Sequence, residues 1–463
     1  MDRVRWPRAS ACTPAGTGPP VGSPLSMLES EAVALLVRLE HVQPFSLSET
    51  MVPAAALHPR ALCRLEYFLH HGQARLRRRI KRYLSWLRSD AGEADAARAQ
   101  RAFVVLRLEF NTLLSQFDLF ADVVTQRSEH GTGVWLAGLD VAAADGLRTG
   151  TVAPGVRERL PEVACYLDRG PGAAIRRART RLPGGAENPV AIVRVPRERM
   201  IGSGVASSLM HEVGHQGDAL LGLRDSVAGE VALHAADAPA RDRAVWRLWE
   251  RWLGEIIPDL WAVASVGVCS TLGLIQVVSL PRAFVFRWGT DDPHPPPWIR
   301  VLLSAAVGAR LYPHPQWERL RRTWVELYPL GSGRREEFAR LAATIPELVE
   351  LLAGHRSSAL GPRTLAQAMA LTDRTPQRLA AIAERWRRDP RTAALLSPSL
   401  AFAVVGQAKA DGTVGPRDEG RLVEGLLRSW AFGRALGRER AAADPAVPAC
   451  PARHVRCSIP DRG

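Results

Sequence analysis

The chain predicts an α+β fold that is mostly helical, with one small sheet before its middle. Three observations predict it. Helix-period apolar patterns fill residues 28–127 and 333–437. Short apolar runs separated by Gly/Pro turns follow residue 130. A further helical pattern, with Ser203 as its cap, then begins directly after the last of those runs. The chain has 463 residues, 46% hydrophobic and 23% charged, which is globular composition with enough apolar surface for one large domain or several smaller ones.

Taken in order, residues 1–27 are rich in Pro, Gly, Ser and Thr. They lack the apolar stretch of a signal peptide and read as disordered. Residues 28–130 form a helical region. Within it "QARLRRRIKRYLSWLRSD" places Leu76, Ile80, Leu84 and Leu87 on one face with arginines around the rest, a solvated helix. "RAFVVLRLEFNTLLSQFDLFADVVTQR" reads as a second, long and well-buried helix. The pattern changes near 131, where "VWLAGLD", "VACYLD" and "AIVRV" read as strands of a small sheet between turns such as "RGPG" and "LPGGAENP". Residues 240–281 are helical with a break expected at Pro258. The stretch 260–280 carries no charge. Ser265, Ser270, Thr271, Gln276 and Ser279 are spread along it, so it reads as a buried core helix, with membrane contact the minor alternative. "DDPHPPPWIRV" is a Pro-locked loop entering another helix. Residues 131–332 are expected to form the core, 333–437 a helical C-terminal region, and 438–463, rich in Ala, Pro, Arg and Glu, a disordered tail.

The formal charge is +14, carried almost wholly by arginine; the lysines are Lys81 and Lys409. A bias this diffuse, with no recognisable binding motif, does not mark a nucleic-acid protein. The cysteines at 12, 63, 165, 269, 450 and 457 form no CxxC pair, which suits a reducing cytoplasm.

The chemistry lies in "SLMHEVGHQ", residues 208–216. His211 and His215 are four apart on one helix face and can aim two imidazoles at one ion. Glu212 is rotated away by one position, where its carboxylate reaches a water on that ion without ligating it. Catalytic zinc needs a third protein ligand. In "WERWLGEIIPDLWAV", Glu255 and Asp259 are again four apart, among Trp246, Trp249, Trp252 and Trp261. Glu255 is the candidate ligand, and Asp259 the residue that holds a ligand histidine by its other ring nitrogen. Glu230, His234 and Asp218 are competing candidates for the third ligand. In "HPPPWIR", His294 and Arg300 are donors suited to a developing oxyanion. Pro258, between the two acids, is expected to kink the helix and so threatens the placement of Asp259.

The order "HEVGH", "GEIIPD", "HPPPWIR" resembles the gluzincin metallopeptidases, in particular the branch of the CAAX prenyl endopeptidase and the HtpX heat-shock protease. The resemblance spans roughly residues 190–310. It implies one Zn2+ held by His211, His215 and Glu255, Glu212 as general base, and His294 and Arg300 near the bound peptide and its oxyanion. It also implies a zincin-like core in which Ala191, Ile192, Val193, Arg194 and Val195 form an edge strand pairing with an extended substrate. The expected function is a cytoplasmic zinc metalloendopeptidase with a peptide or protein substrate. The alternatives are a catalytically silent metal-bound regulator or scaffold, and a basic protein binding nucleic acid or an anionic surface through residues 75–88.

Overall fold

In a computed structural model of the chain, the described residues are 22–42, 51–90, 95–150, 156, 159–168, 173–197, 202–289 and 292–443. The expectations for residues 1–21 and 444–463 lie outside them, while residues 438–443, expected in the disordered tail, continue the last helix. Helix begins earlier than expected, at Pro24, where Ser23 Oγ accepts from the Ser26 amide as an N-cap.

The chain divides into two compact units. The smaller comprises Met1–Ser46, Glu66–Leu119 and Pro183–Gly185. It holds α1 (Pro24–His41) and most of α2 (Pro59–Leu87) and α3 (Ala96–Thr125). Leu76, Ile80, Leu84 and Leu87 are buried, as their spacing predicts. Tyr83 Oη donates to the Ala99 carbonyl at 3.1 Å and ties α2 to α3. Contrary to expectation, α3 is not buried all round: Val104, Val105 and Leu108 are exposed.

The larger unit comprises Leu47–Leu65, Phe120–Leu182 and Ala186–Gly463. In chain order it holds α4 (His130–Gly146), β1 (Val163–Asp168), β2 (Ala174–Arg176) and β3 (Ala191–Pro196). Next come α5 (Ser203–Leu221), α6 (Leu223–Asp237), α7 (Arg243–Val266), α8 (Val268–Val278), α9 (Arg282–Val285), α10 (Pro297–Leu311) and α11 (Gln316–Leu327). The rest are α12 (Arg335–Gly354), α13 (Leu365–Met369), α14 (Pro376–Arg388), α15 (Pro398–Ala410) and α16 (Pro416–Ala443). The fold is thus mostly helical with a small sheet. No division falls at 332, because buried side chains of α12 and α13 share one hydrophobic core with those of α7 and α10.

Two of the three predicted strands are present. "VWLAGLD" is not a strand; it lies in α4, whose residues are buried on nearly every side. A short continuous apolar run reads alike as buried strand or buried helix, so periodicity could not separate them. The sheet order is β1-β3-β2, with β1 parallel and β2 antiparallel to β3. Ala191–Val195 is therefore the central strand and not an edge. Ala191, Ile192, Val193 and Val195 are buried, as a strand paired on both sides requires. The edge on that side is β2. Behind β1, Arg127 and Asp140 form a fully buried pair at 2.8 Å, and Asp140 also accepts the Cys165 amide at 2.8 Å, fixing α4 to the strand. Among the described residues the free thiols are Cys165 and Cys269, both buried. Cys63 is disulfide-bonded, so the cysteines do not support the reducing compartment expected from their spacing.

Three details differ around α5 and α7. Ser203 does not cap α5; its amide donates to Glu419 Oε1 of α16 at 2.6 Å, so the helix start is satisfied from far along the chain. Pro258 does not break α7, which runs through it to Val266. The break falls at Gly267, whose φ of 57° and ψ of −137° only glycine adopts readily. The uncharged stretch is thereby split between α7 and α8, and no described helix is long and apolar enough to cross a membrane.

Helices α5 and α7 pack unusually closely. A Cβ on Gly214 would lie 2.7 Å from Pro258 Cα, and one on Gly217 would lie 2.3 Å from the Trp261 ring. Trp246, Trp249 and Trp261 are fully buried on α7. Each such indole removes roughly 150–250 Å² from water, about 4–6 kcal/mol at ~25 cal/mol per Å² as an upper bound. We expect Gly217→Ala to lower the unfolding free energy by about 1–3 kcal/mol, although alanine is the better helix former by roughly 1 kcal/mol. Urea unfolding measures it, and an unchanged or raised midpoint would show that the two helices do not touch there.

Candidate metal centre

His211, Glu212 and His215 lie on α5, and Glu255 and Asp259 on α7. The glycine contacts let the two helices come close enough for imidazole to meet carboxylate. Glu255 Oε2 is 3.2 Å from His211 Nε2 and 3.6 Å from His215 Nε2. The donor atoms of His211, His215 and Glu255 all lie within 4.8 Å of one another. Bonds of roughly 2.0–2.1 Å in tetrahedral geometry set ligand atoms about 3.3–3.4 Å apart. The three side chains are near enough together that they could hold such an ion.

Asp259 is in place despite Pro258. Its Oδ1 accepts from His211 Nδ1 at 2.8 Å, which turns His211 Nε2 toward Glu255. Arg300, from the start of α10, grips the same carboxylate, with Nε to Oδ2 at 2.6 Å and Nη2 to Oδ1 at 2.8 Å. Two of its donor nitrogens are thus spent on Asp259. Arg300 thereby orients Asp259 and, through it, His211, and it also borders the cleft beside the centre.

His294 reaches Glu255 from the loop before α10, with Nε2 to Oε2 at 3.0 Å. The sequence reading assigned no role to Asp292 or Arg287. Asp292 Oδ1 accepts both the His294 amide and Nδ1 at 3.0 Å, and Arg287 Nη2 holds the other oxygen at 2.7 Å. An acid two residues before a histidine, in a loop stiffened by prolines, is the signal that was there to be used.

The competing ligands lie elsewhere. Asp218 accepts the Arg224 amide at 2.7 Å at the start of α6. Glu230 pairs with His355 at 2.9 Å and His234 with Glu347 at 2.9 Å.

The metal-free site holds its charge by protonation. Burial presses the His211 pKa down, but the charge and hydrogen bond of Asp259, with the hydrogen bond to Glu255, outweigh it and raise the pKa to about 9. His215 is lowered to about 4 by burial and by the neighbouring His211 charge. Burial also opposes the charges on Glu255 and Asp259. The His211 and His294 hydrogen bonds to Glu255, and Arg300 and His211 beside Asp259, hold both carboxyls well below the usual range. Glu212 is the exception: burial raises its pKa above the ordinary carboxylate value, and Glu255 adds to the effect.

The centre opens on a cleft of about 710 Å³. His211, Glu212, Ser207 and Ser208 line one side, Leu274, Val278 and Phe284 another, and Ala173, beside β2, also borders it. Comparison with protein-family models, with curated proteins and with solved structures finds no match for this chain.

A divalent ion must displace the His211 proton. At pH 7 we expect its binding to release close to one proton per ion from His211 and none from His215. Apparent affinity should then rise about tenfold per pH unit until the pH passes about 9. Zinc calorimetry in buffers of different ionisation heat measures this, and affinity that is flat between pH 6 and 9 would show that His211 carries no proton in the metal-free protein.

Proposed function

We propose that the protein is a zinc-dependent peptidase that hydrolyses peptide bonds by general-base attack of water. The observation that carries the reading is the convergence of two imidazoles and one carboxylate within 4.8 Å of one another, with one of them, His211, bordering a cleft that Glu212 also lines. Two histidines and a glutamate are the donor set of a catalytic zinc site with an open position. The HExxH spacing on one helix, with the acid supplied by a second helix, supports the gluzincin resemblance and a zincin-like core.

When bound, zinc supplies Lewis acidity, lowering the pKa of water and polarising the scissile carbonyl. The remaining work falls to the chain. His211 and His215 offer neutral imidazole nitrogens and Glu255 a carboxylate. Asp259, gripped by Arg300, fixes the His211 ring so that its Nε2 faces the ion. Glu212 is buried and its raised pKa suits a proton carrier; it accepts the water proton and passes it to the leaving amine. His294, oriented by Asp292, and Arg300 both border the cleft and are the donors we assign to the developing oxyanion. Backbone pairing of an extended substrate then belongs to β2, since β3 is already paired on both sides.

The test is zinc content and peptide hydrolysis of the wild type beside His211→Ala, Glu212→Gln and Glu255→Ala. We expect about one zinc per wild-type chain, lost in the His211 and Glu255 variants. Glu212→Gln should keep its zinc and lose roughly 10²–10⁴-fold in hydrolysis rate. Zinc bound with no turnover of any peptide in a degenerate library favours a silent metal-bound regulator. A wild type that takes up no zinc refutes the metal site itself.

A further inference from the structure

The outer face of the smaller unit carries a different chemistry. On α2, Arg78, Arg82 and Trp86 recur at turn spacing, opposite the buried Leu76, Ile80, Leu84 and Leu87. On α3, Arg98, Arg101, Val105 and Leu108 form a second stripe at the same spacing. The two stripes flank an open groove of about 610 Å³ lined by Arg82, Trp86 and Val105 among others. Val105 is 48% exposed and Leu108 60%. Arg79, in the same groove, is neutralised by Glu109. Arg78, Arg82, Arg98 and Arg101 have no carboxylate partner among the described residues and are exposed.

We propose that this face docks the protein on an anionic lipid bilayer. A cluster of about four to eight basic side chains on a helical surface attracts anionic headgroups. The exposed aliphatic side chains of Val105 and Leu108 add an apolar term that a bilayer satisfies and a nucleic-acid backbone does not. Single-stranded nucleic acid needs open aromatic faces on which bases stack. Here the guanidinium of Arg98 already lies over the Trp86 ring, 5.5 Å from its centroid. The apolar side of α2 is packed inside the unit and no described helix is long and apolar enough to cross a membrane, so the docking is peripheral. This inference does not depend on the metal site.

The experiment is co-sedimentation of the full chain with phosphatidylglycerol–phosphatidylcholine vesicles and with pure phosphatidylcholine vesicles. We expect binding to the anionic vesicles and none to the neutral ones. Neutralising one arginine should weaken it about fivefold, so the triple variant Arg78→Gln, Arg82→Gln, Arg101→Gln should lose on the order of 100-fold. The double variant Val105→Ser, Leu108→Ser should bind several-fold more weakly at unchanged charge. Equal binding to both vesicle types, or no binding, overturns the proposal, as does full retention by the triple variant. So does a serine double variant that binds as the wild type while a single-stranded oligonucleotide displaces the vesicles, since that assigns the face to nucleic acid.

Discussion

The candidate centre depends on the distance between α5 and α7. Gly214 lies against the Pro258 backbone and Gly217 against the Trp261 ring. Any side chain there would wedge the helices apart. A short acidic side chain on α7 meets an imidazole on α5 only at this separation. Glu255 Oε2 contacts both His211 and His215 because the helix axes are this near, and His294 joins them from the loop before α10. The tryptophans of α7 hold the approach from behind, so the polar cluster is positioned by apolar packing and does not have to assemble itself.

That packing places like and unlike charges in a poorly hydrated space. Glu212, Glu255 and Asp259 face His211, His215, His294 and Arg300. Isolated buried carboxylates would be costly. Asp259 is satisfied by the Arg300 fork and by His211, so it stays ionised. Glu255 gains its partners from imidazoles, one of which is held protonated. At Glu212 burial, helped by the nearby Glu255 charge, outweighs the charges of His211, Arg300 and His294, and its pKa is raised. Two acids thus take different roles by environment alone: the one with closely hydrogen-bonded imidazoles is suited to ligation, and the one pressed by burial is suited to carry a proton.

Much of this was legible in the sequence. The spacing of His211 and His215, and of Glu255 and Asp259, fixes which faces they share. The tryptophans around Glu255 announced a buried acid that needs a partner. The errors have specific causes. "VWLAGLD" is apolar all round because α4 is buried all round, and a fully buried helix loses the period that would identify it. The strand at 191–195 was expected at an edge because the resemblance implied it, and three-residue β2, which covers that edge, is too short to leave a pattern. The cap of α5 comes from Glu419, more than two hundred residues on, so no local reading could find it. Asp292, two residues before His294, was open to reading, whereas Arg287 acts through geometry that only the folded loop reveals.

Pro258 shows how a local rule yields to packing. Proline inside a helix removes one backbone bond and crowds the preceding turn, so a kink between Glu255 and Asp259 was the expectation. The helix instead runs on, and Asp259 reaches His211 at 2.8 Å. The same proline presents its Cα and carbonyl to Gly214, at the point where α7 comes nearest to α5. Its ring projects no long side chain between the helices, and its fixed φ is already helical. The cost of the lost bond is therefore set against a tighter approach at the one turn that carries both acids. Glycine on α5 and proline on α7 are two halves of one contact, and the spacing of His211, His215 and Glu255 follows from it.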